Sequence, residues 1–235
     1  MSSTRKDVVS DYDPARHVMC AVRDDNLDTL QHNNLLVLDE DGANAVTHGA
    51  YKGKMKSLKY LATRENEFKI LVNLHTFRGL YPLLGACEQG LDFVVFLLGH
   101  GARILLPTNA KGTPLSILHE VLSGNVAQNQ SREIIQALID DLFSTVYDPE
   151  RGETWPKYSI EERAYILNFR TDMGVEWPPR ADIHYFPTDI RGLEQSDGPR
   201  EPNMLTAYEY ALALQNIKAA EMLRKAQEAI CHFIM

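Results

Sequence analysis

A block of glycines and apolar residues recurs along this chain with a drifting spacing, and that recurrence limits the fold more than any other feature. Gly42 and Gly79 stand 37 residues apart, and so do Gly53 and Gly90. Self-similarity at such a period marks arrays in which each unit needs its neighbour to cover its apolar face. The clearest unit occupies 79–102. Pro82 suits the first turn of a helix, where its missing N–H is no loss. Ala86 and Cys87 are small enough for a neighbouring helix to approach, and Gly90 can take the left-handed conformation that stops the first helix. Phe93, Val94, Phe96, Leu97 and Leu98 predict a second helix buried on most sides, ended by Gly101. The unit therefore reads as two short antiparallel helices and a turn.

The same order recurs elsewhere. Upstream, Asp41-Gly42-Ala43-Asn44-Ala45-Val46 leads to Gly49-Ala50, Gly53, Leu58, Tyr60 and Leu61. Downstream, Thr113-Pro114-Leu115 opens one helix, and Ile134-Ile135 with Leu138-Ile139 supplies another. Near the end, Thr206-Ala207-Tyr208-Glu209-Tyr210-Ala211-Leu212 precedes Gln215-Asn216, then Ala220, Met222 and Leu223. Residues 18–30 read as half of the pattern, with Ala21-Val22 as the close-packing pair.

At these residues the chain resembles the ankyrin-repeat family, whose unit of about 33 residues is a turn plus two helices with a Thr-Pro-Leu-His-x-Ala opening. Tyr81 stands where the family has threonine, and Leu84 where it has histidine. Four recognisable units and a weaker one cover about two-thirds of the chain. The resemblance implies an all-α fold, an ankyrin-type solenoid of stacked helix-turn-helix repeats with a long irregular insertion before the last repeat. It divides the chain into repeats over 1–142, an insertion over 143–202, and a final repeat with a capping helix over 203–235. Terminal units of a stack need a polar outer side. Arg16, Arg23, Asp24, Asp25 and Asp28 suit one end, and Lys218, Glu221, Arg224, Lys225 and Glu228 the other.

Several stretches depart from the pattern. Residues 62–78 exceed a standard unit, and Glu67-Phe68-Lys69-Ile70-Leu71-Val72 reads as lengthening a hairpin. Residues 124–131 form a polar insertion, and bulky Leu118 and His119 replace the small pair, so helix spacing must widen or shift there. The 143–202 insertion holds seven of the 11 prolines and both tryptophans, Trp155 and Trp177. Within it 160–169 looks helical and the remainder irregular. Long loops of this kind are usually functional or disordered, and two tryptophans argue against plain disorder.

In ankyrin proteins the turn tips and first helices line a concave, partner-gripping surface. Carried over, the resemblance nominates Arg23 and Asp24, then Glu40, Ala43, Tyr51 and Lys52. The third unit adds Phe77, Arg78, Leu80, Glu88 and Gln89, and the fourth Asn109, Lys111 and Glu120. Trp155 and Trp177 join them as contacts on the insertion. Aromatic and Arg residues dominate binding hot spots, which favours Tyr51, Phe77 and Arg78. The bland alternative is that these three merely support a lengthened hairpin.

The chemistry of the remaining residues narrows the function. With 24 Lys+Arg against 32 Asp+Glu the net charge is −8, against the basic stripe that nucleic-acid binding requires. Cys20, Cys87 and Cys231 are an odd, scattered set, which predicts no disulfide scaffold, no closed zinc site and a reducing compartment. A polar start and the lack of any long apolar run predict no signal peptide and no membrane span. No phosphate-binding, nucleophile-elbow or zinc-protease signature occurs. Asp39-Glu40-Asp41-Gly42 reads as a turn before a helix rather than a calcium loop. The expectation is a non-enzymatic scaffold, adaptor or inhibitor in the cytoplasm, with the nucleus as the alternative. It would be a monomer when unbound, needing no cofactor or metal and binding another protein. Two other readings are a regulatory subunit or effector whose 143–202 insertion makes the specific contact, and an unrecognised enzyme with a site beside that insertion, where His184 could face Asp182 or Asp189.

Overall fold

The computed structural model describes residues 13–104, 116–123, 130–172 and 204–234. Among them the chain is mostly helical. It begins with α1 (Pro14–Arg23) and α2 (Leu27–Gln31), followed by α3 (Ala45–Tyr51), α4 (Met55–Thr63) and α5 (Glu65–Leu71). Next come α6 (Pro82–Gln89), α7 (Leu91–Gly99), α8 (Ile117–Leu122) and α9 (Ser131–Leu142). Two short strands, β1 (Thr145–Asp148) and β2 (Glu153–Pro156), precede α10 (Ile160–Asn168). Strands β3 (Arg170–Asp172) and β4 (Met204–Thr206) then lead to α11 (Ala207–Ala213) and α12 (Ile217–Ile234).

Helices pair with their chain neighbours: α1 with α2, α3 with α4, α6 with α7, α8 with α9 and α11 with α12. Successive pairs also touch. Helix α3 lies between α1 and α6, α11 packs on α8, and α9 packs on both α7 and α12. One apolar cluster runs from Val18 in α1 to Ile230 in α12, and each fully buried side chain of this kind contributes roughly 1.5–3 kcal/mol. Helix starts follow local chemistry. Asp13, Asn26 and Asn44 accept from the N–H groups of Ala15, Thr29 and Thr47, satisfying donors that a helix start leaves open. Ser159 with Glu162, and Thr206 with Glu209, form reciprocal capping boxes on α10 and α11.

Two turns make the same bonds 37 residues apart. In the first, Asp39 N–H donates to the Ala43 carbonyl at 2.9 Å and Gly42 N–H to the Asp39 carbonyl at 2.9 Å. In the second, Thr76 N–H donates to Leu80 at 2.7 Å and Gly79 N–H to Thr76 at 2.9 Å. Gly42 and Gly79 take φ +77° and +80°, a region open to glycine without steric cost. Helix ends repeat as well. Asn26, Lys54, Ala102 and Asn216 each donate N–H to the carbonyl five residues earlier, which closes the last turn of α1, α3, α7 and α11.

Several expectations need correction. Residues 67–72 do not lengthen a hairpin; they belong to or follow α5, because Phe68, Leu71 and Val72 at helical spacing are buried while Glu65 and Lys69 pair across one turn. Helix α7 is less enclosed than predicted, since only Val94 and Leu97 are fully buried and Val95 is exposed. Asp25 is not a solvated cap residue. Its carboxylate accepts from Ser57 Oγ at 2.7 Å and Ser57 N at 3.1 Å, joining the first pair to the second. The start of the insertion is not irregular, because β1 and β2 form an antiparallel hairpin with Val146 opposite Trp155.

The residues after that hairpin are strapped to the helices. Lys157 Nζ donates to Asp141 at 2.7 Å and to the Ala102 carbonyl at 2.8 Å. The Tyr158 hydroxyl donates to Asp141 at 3.0 Å and accepts from Ile104 N–H at 2.7 Å. Arg103 pairs with Glu162 at 2.7 Å. Helix α10 then lies on α12, and β3 pairs with β4 through Asp172 opposite Met204. His119 solves the bulk problem at α8 by donating from Nε2 to the Leu205 carbonyl at 2.9 Å, with its ring stacked on Tyr210.

Candidate functional site

The 39–43 and 76–80 turns present exposed nominated side chains, Phe77 and Arg78 among them. Asp39 Oδ1 accepts from Asp41 N–H at 3.0 Å and Ala43 N–H at 2.8 Å, while Oδ2 lies 2.7 Å from His48 Nε2. Burial alone would raise the Asp39 carboxyl, yet His48 and those two N–H groups hold it below its ordinary value. Thr76 Oγ1 takes the corresponding place in the second turn, accepting from Arg78 N–H at 3.3 Å and Leu80 N–H at 3.1 Å.

The two turns are tied together. Phe77 N–H donates to the Asp41 carbonyl at 3.0 Å, and Arg78 Nη2 lies 3.5 Å from Asp41 Oδ1. The Phe77 ring rests on the backbone at Gly42, where an added Cβ would come within 3.3 Å of it. Phe77 is nevertheless 72% exposed. The result is an aromatic–guanidinium pair held outward by a preset backbone, an arrangement that spends little entropy on contact. Leu36 and Leu38, on the segment leading into the first turn, are also exposed.

The other nominated residues divide into surface and packing groups. Arg23, the last residue of α1, and its C-cap Asp24 form an exposed pair at 3.4 Å, and Lys52 is exposed after α3. Leu80 is half-buried against the core. Tyr51 is turned into the α3–α6 contact, where a Cβ on Gly85 would stand 2.5 Å from its ring. The Tyr51 hydroxyl is shut away without a hydrogen-bond partner, and burial, then Glu88, Cys87 and Glu120, push its pKa well up. Gln89 Nε2 donates to the Tyr51 carbonyl at 3.0 Å, so it too braces α3 against α6. Glu88 is exposed at the end of α6, with its carboxyl raised by partial burial and by Glu120. Cys87 packs in the core, and burial drives its thiol far from the reactive range.

Trp155 is 49% exposed on β2. Trp177, Asn109, Lys111 and the His184 group lie outside the described residues. The sequence reading missed the Asp41 link to Phe77 and Arg78, and missed the β1–β2 hairpin. The hairpin had a signal: Thr145-Val146-Tyr147 and Thr154-Trp155 flank a turn containing Pro149 and Gly152. Among the described residues, no three His, Cys, Asp or Glu groups converge to hold a metal ion, and no helix is long and apolar enough to cross a membrane. No family model matches the chain, and no curated protein matches it.

Proposed function

We propose that the chain is a non-enzymatic protein-interaction module, a divergent ankyrin-type stack that grips a partner with its turn tips and first helices. The observation that carries this reading is the Phe77–Arg78 pair, anchored to Asp41 by backbone and side chain yet with Phe77 72% exposed. Exposed aromatic and Arg side chains on a rigid support are the usual anchors of an interface. The repeat reading is supported by the matching turns at Gly42 and Gly79 and by the order in which α1, α3 and α6 pack. Tyr51 and Gln89 drop out of the contact surface and act as braces within it.

Affinity capture from extract of the native cells tests the reading, with wild type set beside a Phe77→Ala/Arg78→Glu variant. A protein recovered by the wild type and depleted at least about tenfold with the variant is expected. Equal recovery by both, with unchanged circular dichroism, removes the tips from the interface. A second reading places the specific contact on the 143–202 insertion, and the half-exposed Trp155 favours it. Trp155→Ala in the same capture separates the two.

A further inference from the structure

Hairpin β1–β2 is a two-stranded ladder whose two faces are both exposed, apart from the half-buried Asp148. Its register puts Val146 opposite Trp155 and Asp148 opposite Glu153. Directly opposed residues share a face, so Val146, Asp148, Glu153 and Trp155 stand together on one side. Trp155 and Val146 are 49% and 53% exposed. Two carboxylates directly opposed across a ladder repel each other. Asp148 is occupied by the turn, since its Oδ1 accepts from Glu150 and Arg151 N–H and its Oδ2 lies 3.6 Å from Arg151 Nε. Glu153 has no ion-pair partner among the described residues, and neither does Glu150 at the tip. The nearest lysine in sequence, Lys157, is committed to Asp141 at 2.7 Å with both side chains about 90% buried.

We propose that this face is a docking surface for an arginine-bearing segment of a partner protein, the guanidinium stacking on Trp155 and pairing with Glu153 while Val146 covers its apolar stem. This rests on the insertion-centred reading above and gives it a ligand chemistry. The charge pattern selects the occupant. A nucleic acid would set phosphates against Glu150 and Glu153. A purely apolar segment would bury the Glu153 carboxylate unpaired, which is costly. A second copy docked through the same face would oppose like carboxylates, because a two-fold contact repeats each patch on itself. Arginine fits better than lysine, for its planar group both stacks on indole and bonds carboxylate in a fork.

The test uses the full chain and a fluorescein-labelled peptide of alternating Arg and Val, with twins carrying Lys or citrulline in place of Arg. Anisotropy is followed for wild type, Trp155→Ala, Trp155→Phe and Glu153→Gln, each checked by thermal melt. The Arg peptide should bind the wild type and bind Trp155→Ala and Glu153→Gln at least about tenfold more weakly, with Trp155→Phe intermediate. The citrulline twin should lose binding and the Lys twin fall between. Absence of binding to the wild type, equal binding of the citrulline twin, or unchanged binding by both variants overturns the proposal. So does self-association of the wild type in sedimentation that Trp155→Ala abolishes, which would make a second copy the occupant. Loss of the captured extract protein on Trp155→Ala, with no peptide recognition, would leave the insertion-centred reading standing and reject only the arginine chemistry.

Discussion

His119 illustrates how one side chain is asked to do what a small residue does elsewhere. It fills a crowded position on α8, gives its Nε2–H to Leu205 and stacks on Tyr210. Burial lowers its pKa from 6.5 to about 4. The unfolded chain therefore takes up a proton near pH 6.5 that the folded chain refuses until about pH 4. Stability from this group is complete above pH 6.5, falls as pH drops towards 4, and levels off below, a span on the order of 3 kcal/mol. Urea melts across that range should show the slope in the wild type and a shallower one in His119→Gln. Gly85 works by absence. The Tyr51 ring occupies the space a Cβ would need, so Gly85→Ala should cost about 1–3 kcal/mol by overpacking, despite the better helix propensity of alanine. Tyr51→Leu in the same chain should recover part of that loss in the melting temperature.

At the scale of elements, legibility followed the range of the forces involved. The start of α6 at Pro82, its stop at Gly90 and the end of α7 before Gly101 were readable, because each is fixed by the residue's own backbone chemistry. Helix α10 was expected over 160–169, and it ends at Asn168, one residue short of that bound. Helix α5 was not, since Glu67 to Ile70 alternates polar and apolar residues like a strand until Phe68, Leu71 and Val72 are seen to face one core. Phe77 and Arg78 were nominated only through the resemblance to ankyrin turn tips, and both side chains are exposed. The inward turn of Tyr51 was not readable, because it depends on a missing side chain at Gly85 on another helix. One of the two capping boxes, at Ser159, stands inside the 143–202 stretch, and the other, at Thr206, stands just after it. Ser159→Ala and Thr206→Ala should each lower stability by about 1 kcal/mol, read from denaturant midpoints at constant slope.

For the whole molecule, one apolar cluster joins α3 to α6, α7 to α9 and α9 to α12, and the proposed stack would couple each helix pair only to its neighbours. A break in the middle should therefore separate the ends. Leu97 is fully buried on α7, and Leu97→Asp should turn one cooperative melt into two, with far-UV signal retained between them. A single transition of undiminished sharpness would count against a stack of coupled units.

The ladder that sets Asp172 opposite Met204 has a consequence for how this chain could be rebuilt. Both ends of 173–203 leave the body at adjacent points, so an Asn-Gly link could close β3 directly onto β4 as a tight reverse turn. Such a shortened chain would have about 2 kcal/mol less closure entropy to overcome at this junction. The same junction would serve as a port: a foreign domain whose own termini lie close together could be spliced in there as cargo without disturbing the helices on either side.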